Sequence, residues 1–155
     1  MNVSQNCIDL VKYFEGCRFE AYLCPAGVWT IGFGNTLYPD GTMVKEGDTC
    51  TEEQAETWLE WELIKAAQFI DNHDLELNQN QTDACCSFIY NLGAGNFYKS
   101  TLFQLINRNP EDPLIEREFL KWVYVGKIVL PGLHRRRLAE SHLYFFGILK
   151  FDWDV

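Results

Sequence analysis

No stretch of this chain approaches the ~18 consecutive apolar residues that a membrane-spanning helix needs, so membrane insertion is not expected. The opening residues, Met1-Asn2-Val3-Ser4-Gln5-Asn6, show no basic stretch leading into an apolar one, and no cleaved export signal is expected. Positive charge is scarce: 13 Lys and Arg stand against 22 Asp and Glu, a net charge of −9. That sign argues against nucleic acid as a partner. There is no Cys-x-x-Cys pair, and His73, His134 and His142 lie far from the cysteines, so neither a metal site nor a cofactor is expected. Internal repeats, low-complexity tracts and linkers are also missing, which leaves a single domain spanning 1–155.

What is present describes a globular protein. The 155 residues are 47% apolar and 15% aromatic, enough to bury a core and too apolar for a disordered chain. The six cysteines, Cys7, Cys17, Cys24, Cys50, Cys85 and Cys86, invite a disulfide framework, but the chain is large for a stapled scaffold. Cys85 and Cys86 sit side by side in an apolar helical pattern, where buried free thiols are ordinary. Reduced thiols are the expectation. Charge is unevenly spread: Glu52, Glu53, Glu56, Glu60 and Glu62 crowd one segment, while Arg135, Arg136 and Arg137 stand together and offer a local positive patch.

Helix signals are local and clear. Ser4 caps a helix with apolar positions Cys7, Ile8, Val11 and Phe14, and Gly16 stops it after Glu15. From Arg18 to Asn35 aromatic and β-branched residues interrupted by Pro25-Ala26-Gly27 predict a β-hairpin, and the turn at Pro39-Asp40-Gly41 predicts a short third strand. Thr51 with Gln54 opens a long helix running to about Asp71, and Asn78 with Gln81 opens another that ends near Gly93. Shorter helices are expected from Ser100, near Pro113 to Val123, and from about Leu133 to Phe145. Strands early and helices late give an α+β class.

Glu15 stands out chemically. The negative end of its helix disfavours a second negative charge there, and burial acts the same way, the direction a general acid needs. The bland alternative is a solvated glutamate at a helix end. Two other motifs fail: Gly32-Phe33-Gly34 lacks the third glycine and the following helix of a phosphate loop, and Cys24 has no supporting histidine motif for a cysteine protease.

Glu15-Gly16, the aromatic strand, the tight turn and Thr30-Ile31-Gly32-Phe33-Gly34 together resemble the active-site signature of the phage-type lysozymes, or endolysins (glycoside hydrolase family 24). Further blocks follow in the family's order: Leu77 to Gln81, Asn91 to Gly95, Ser100-Thr101-Leu102, Phe119 to Trp122, and Leu130-Pro131-Gly132-Leu133 with the three arginines. The resemblance covers about residues 5 to 145. It implies a small β-rich lobe (about 16–50), a connecting helix (about 52–71) and a helical lobe (about 72–155, with the N-terminal helix packed on it), the cleft lying between the lobes.

The resemblance also implies roles. Glu15 matches the family's acid and Thr30 the threonine that helps hold the attacking water, while the second catalytic position, usually Asp, falls at Cys24. Tyr22 supports the site from the hairpin. Asn91 and Trp122 would form the cleft's far wall, and one arginine, Arg136 above all, would approach Glu15. The competing expectation is core packing for Trp122 and a solvated helix face for two of the three arginines. Glu20 alternates onto the face of Cys24 but lies about 13 Å away along the strand, outside the roughly 5–9.5 Å of a catalytic pair. Asn35 stands where the family commonly has His.

The implied activity is cleavage of the β-1,4 bond between N-acetylmuramic acid and N-acetylglucosamine in bacterial peptidoglycan. The implied setting is a monomer folded in the host cytoplasm, depending on a separate holin to reach the wall. Because Cys24 is not a carboxylate, a lysozyme-shaped wall-binding protein with little catalysis is the rival reading. A third keeps catalysis but shifts it to chitin-like polymers or transglycosylation.

Overall fold

The computed structural model describes residues 2–155. Helix α1 (Gln5–Glu15) starts where the Ser4 hydroxyl accepts from the Asn6 N–H and stops at Gly16, whose φ of 64° closes the last turn through an N–H donated to the Lys12 carbonyl. Strands β1 (Arg18–Leu23) and β2 (Trp29–Gly32) pair antiparallel, with an irregularity between Arg18 and Tyr22. Their connection is a turn closed by Gly27 N–H to Cys24 O at 2.8 Å, with Gly27 at φ 75°. Proline after the first turn residue and glycine at positive φ are what a three-residue hairpin loop requires.

The expected third strand does not form. Among the described residues, the segment beyond β2 forms isolated bridges and no strand: Ile31 with Asn35, Leu37 with Met43, and Glu20 with Thr49. The turn residues are there, but Tyr38 and Lys45 both bond to Asp48, which folds this segment on itself as a loop.

Helix α2 (Glu52–Asn72) runs for about 30 Å behind a complete capping box of Thr51 and Gln54. Its buried stripe, Ala55, Leu59, Leu63, Ala66, Ala67 and Ile70, joins the hairpin lobe to the helical one. Helix α3 (Gln79–Leu92) is capped in the same way by Asn78 and Gln81, and every residue from Gln81 to Ile89 is buried. A helix enclosed on all sides must satisfy its polar members. Asp83 accepts from the Ser4 N–H and hydroxyl, and Ser87 donates to Glu140.

Then follow α4 (Ala94–Lys99), α5 (Thr101–Arg108, capped by Ser100), α6 (Ile115–Phe119), a second hairpin of β3 (Tyr124–Val125) and β4 (Ile128–Val129), and α7 (Pro131–Phe146). The expected helix from Pro113 to Val123 is therefore only the five residues of α6. Gly126, at φ 61°, turns the chain back into β4. The core centres on Phe88, whose ring meets Phe97 and Phe119 at 5.8 Å and Trp122 at 5.5 Å. Helices α1 and α7 both pack on α3, which brings their chemistry together.

Candidate active site

Glu15, the last residue of α1, reaches α7. Its Oε1 accepts from Nη1 of Arg136, which is buried while Glu15 keeps about a fifth of its side chain exposed. Its Oε2 faces the loop after β2, where a Cβ on Gly34 would lie 3.4 Å from it. Gly34 has φ 97°, a conformation other residues rarely adopt, so the backbone here favours glycine. One carboxyl oxygen is thus tied and the other is turned toward the loop.

Arg136 is held from behind. Its Nε donates to Glu140 at 3.2 Å and its Nη2 to the Ser87 carbonyl at 3.3 Å. Glu140, fully buried, also accepts from Ser87 Oγ at 2.7 Å and lies 2.9 Å from Nε of Arg137. Arg137 reaches on to Asn91 Oδ1 at 2.8 Å. Two carboxylates and two guanidinium groups make this quartet formally neutral. Burial lowers the pKa of Arg137 to about 10, with Glu140 beside it opposing the shift.

The arginine triplet is therefore not the exposed patch its spacing suggested. Arg136 and Arg137 are buried, and only Arg135, bonded to the Trp153 carbonyl, lies partly open. Two of the three were expected on a solvated face, yet it is the packing of α7 on α3 that encloses them, and Glu15 and Glu140 neutralise them.

A second cluster sits at the tip of the first hairpin. Tyr22 pairs with Thr30 across the two strands, and its ring carries the Arg18 guanidinium at 4.5 Å. Cys24 lies at the end of β1, half-buried, where the Val28 and Ala26 N–H groups and then the Thr30 hydroxyl favour the thiolate and lower its pKa below the usual cysteine value. In this structure the single proton of that hydroxyl goes to the Val28 carbonyl, at 3.0 Å, and would have to turn to meet a thiolate. The other five thiols shift the opposite way, upward, chiefly through burial.

Between the lobes a cavity of about 460 Å³ opens beside Gly34. Its walls are Gly34 to Thr36 from the loop, Glu62, Lys65, Ala66 and Phe69 from α2, and Ile89, Tyr90, Gly93 and Ala94 from the helical lobe. Of the expected site residues, Glu15, Tyr22, Cys24, Thr30, Asn91, Trp122 and Arg136, none lines it; Glu15 meets it through Gly34. Asn91 is engaged by Arg137, and Trp122 stands edge-on to Phe88 against the core. Among the described residues no group of three or more His, Cys, Asp and Glu side chains is arranged to hold a metal ion.

The sequence profile described as Phage lysozyme matches residues 12–140. The chain belongs to the phage lysozyme family. It is 36% identical over 149 residues to an endolysin of Acyrthosiphon pisum secondary endosymbiont phage 1, covering 93% of this chain and 98% of that protein. An endolysin of Salmonella phage P22 is 37% identical over 141 residues, 88% of this chain and 96% of the relative. The solved endolysin from Escherichia coli O157:H7 phage FAHEc1 superposes with a TM-score of 0.86 at 30% identity, covering 97% of each chain. The fold is accordingly the α+β lysozyme fold.

Sequence reasoning overlooked Glu140, Ser87 and Tyr90. Glu140 carried a signal, since it follows Arg136 and Arg137 at the four- and three-residue spacing of helix ion pairs. Ser87 carried none, nor did Tyr90, whose hydroxyl donates to the Phe33 carbonyl at 2.7 Å across 57 residues of sequence.

Proposed function

We propose that this phage lysozyme hydrolyses the β-1,4 bond between N-acetylmuramic acid and N-acetylglucosamine in bacterial peptidoglycan, serving host lysis, with Glu15 as general acid. The carrying observation is the carboxyl group itself: one oxygen tied to Arg136, the other turned toward Gly34 at the edge of the cleft. An acid fixed at one oxygen delivers its proton from a defined place, and such positioned transfer is worth roughly 10²–10⁴-fold.

In this reading Cys24 and Thr30 manage the water. The hairpin tip lowers the Cys24 pKa, which favours a thiolate where the family usually carries Asp, and the Thr30 hydroxyl beside it orients the attacking oxygen. Water attacks the anomeric carbon and gives up a proton to the Cys24 thiolate while Glu15 protonates the departing oxygen, which inverts the centre and leaves no sugar on sulfur. Tyr22 braces Thr30 from the facing strand, and Arg136 holds the acid. Asn91 acts through Arg137, and Trp122 supports the helical wall by packing on Phe88. The hairpin lobe, α2 and the helical lobe work as one catalytic domain.

We place the protein as a monomer in the host cytoplasm, reaching the wall once a holin opens the membrane. Among the described residues no helix is long and apolar enough to cross a membrane. Cells making this chain alone should stay intact until chloroform permeabilises them, and lysis without that treatment would refute the dependence.

The deciding experiment digests purified walls with wild type and Glu15→Gln. The wild type should release new reducing ends and the variant almost none, with unchanged folding. More than a tenth of wild-type activity in the variant would remove Glu15 from the role. Wall binding by the wild type without new reducing ends would instead favour a binding module, the reading that the replacement of the usual carboxylate by Cys24 suggests.

A further inference from the structure

Tyr90 lies on α3 in the helical lobe, and its hydroxyl donates to the carbonyl of Phe33 in the loop of the other lobe at 2.7 Å. It also forms part of the cleft wall, alongside Gly34. The Phe33 ring is buried in the core, so the loop is anchored on one side by packing. Its carbonyl is anchored by Tyr90. The next residue, Gly34, is the one set against the untied Oε2 of Glu15. Tyr90 therefore bonds to the peptide immediately preceding the surface on which the free acid oxygen rests.

We propose that Tyr90 is a positioning residue for Glu15, its hydroxyl pinning the Phe33–Gly34 backbone that sets where the untied carboxyl oxygen points. The proposal rests on the reading of Glu15 as the acid. Arg136 fixes one carboxyl oxygen but leaves rotation about that contact, and the loop supplies the second limit. Displacement of a reacting group by about 1 Å costs up to 10²-fold in rate, so a bond from the other lobe, added to the Ile31–Asn35 backbone pair that closes the loop, has leverage on turnover. The phenol is suited to the task. Burial, with Glu15 and Glu62 nearby, pushes its pKa well above the usual tyrosine value, so it remains an O–H donor at any pH at which the enzyme works.

The test is Tyr90→Phe, which keeps the ring and removes only the donor. Wild type, Tyr90→Phe and Glu15→Gln are compared on soluble peptide-bearing glycan fragments, with kcat and KM separated. Backbone amide exchange is followed in the free proteins. Loss of a neutral hydrogen bond expressed in the transition state should lower kcat of Tyr90→Phe by about 3- to 10-fold, with KM within about twofold. Amide exchange at Asn35, whose N–H donates to the Ile31 carbonyl, should quicken while that of α3 stays as in wild type. Unchanged kcat per folded molecule would overturn the proposal, as would a loss confined to KM, which would make Tyr90 a substrate contact. A wild type that cleaves nothing would defeat the assignment of the acid instead. The exchange at Asn35 would then still decide whether Tyr90 holds the loop, and unaltered exchange there would refute it.

Discussion

Replacing Glu140 by Gln should destabilise this protein more than most single substitutions, because it strips charge from the least exposed part of the quartet. Glu140 and Arg137 are 0% exposed and Arg136 is 3% exposed. The carboxylate lies 2.9 Å from Arg137 Nε and 3.2 Å from Arg136 Nε. At an effective dielectric near 20, each such contact is worth roughly 5 kcal/mol of Coulomb attraction before the cost of desolvation. Removing one partner of a buried ionic group typically costs about 3–5 kcal/mol, since the remaining charge stays behind unpaired. Gln also turns an amide N–H₂ toward a guanidinium that offers only donors. For a chain of this length each kcal/mol lowers the melting temperature by about 2–4 °C, so a fall of roughly 6–20 °C is expected. Thermal unfolding at neutral pH followed by circular dichroism measures it, with urea midpoints as a check. The double replacement Arg137→Leu with Glu140→Leu removes one charge of each sign and should recover at least half of the loss. It will not recover all, because Ser87 and Asn91 lose their partners. A shift under about 3 °C in Glu140→Gln would refute the electrostatic account. A double variant as unstable as the single one would mean that shape, and not charge, carries the effect.

Cys24 should be the first thiol alkylated by iodoacetamide near neutral pH, since the hairpin tip lowers its pKa while the other five are raised. Only the thiolate reacts, so its rate should fall as pH drops through a midpoint below the usual cysteine value of about 8.5; peptide mapping that finds another cysteine labelled first would contradict this. Cys24→Asp should keep or raise wall-cleaving activity and Cys24→Ala should lower it strongly, whereas full activity in Cys24→Ala would reduce the residue to packing. Arg136→Lys keeps the charge but cannot bridge Glu15, Glu140 and the Ser87 carbonyl together, so activity per folded molecule should drop by about tenfold or more; wild-type activity there would show that charge alone suffices.

The parts of this fold that were legible in the sequence are those settled within a few residues. Ser4, the Thr51–Gln54 and Asn78–Gln81 boxes, and the stops at Gly16 and Gly93 all depend on a side chain or glycine reaching its own helix end. The helix α4 escaped notice because it begins at Gly93 without any side-chain cap and contains Gly95. The second hairpin escaped because its strands are two residues each, too short for alternation to register. Its one local mark was Gly126 between Tyr124-Val125 and Ile128-Val129.

The site divides along the same line. Glu15, Thr30 and the approach of Arg136 followed from a resemblance, since nothing in the periodicity of α1 or α7 says that their ends meet. Glu140 shows why burial is hard to read: an acid three and four residues after two arginines describes a solvated surface pair as well as an enclosed one. What decides between them is α3, buried along nine consecutive residues, onto which α7 must lay the face that carries those charges. Cys24 is the intermediate case. Its departure from the family's carboxylate is plain in the sequence, and so is the Pro25-Ala26-Gly27 turn beside it. The chemical consequence joins the two: the backbone of the turn that reverses the chain also lowers the pKa of the thiol. A loop chosen for its geometry thereby makes a thiol more acidic, and comparing Cys24→Asp with Cys24→Ala measures whether that acidity stands in for the family's carboxylate.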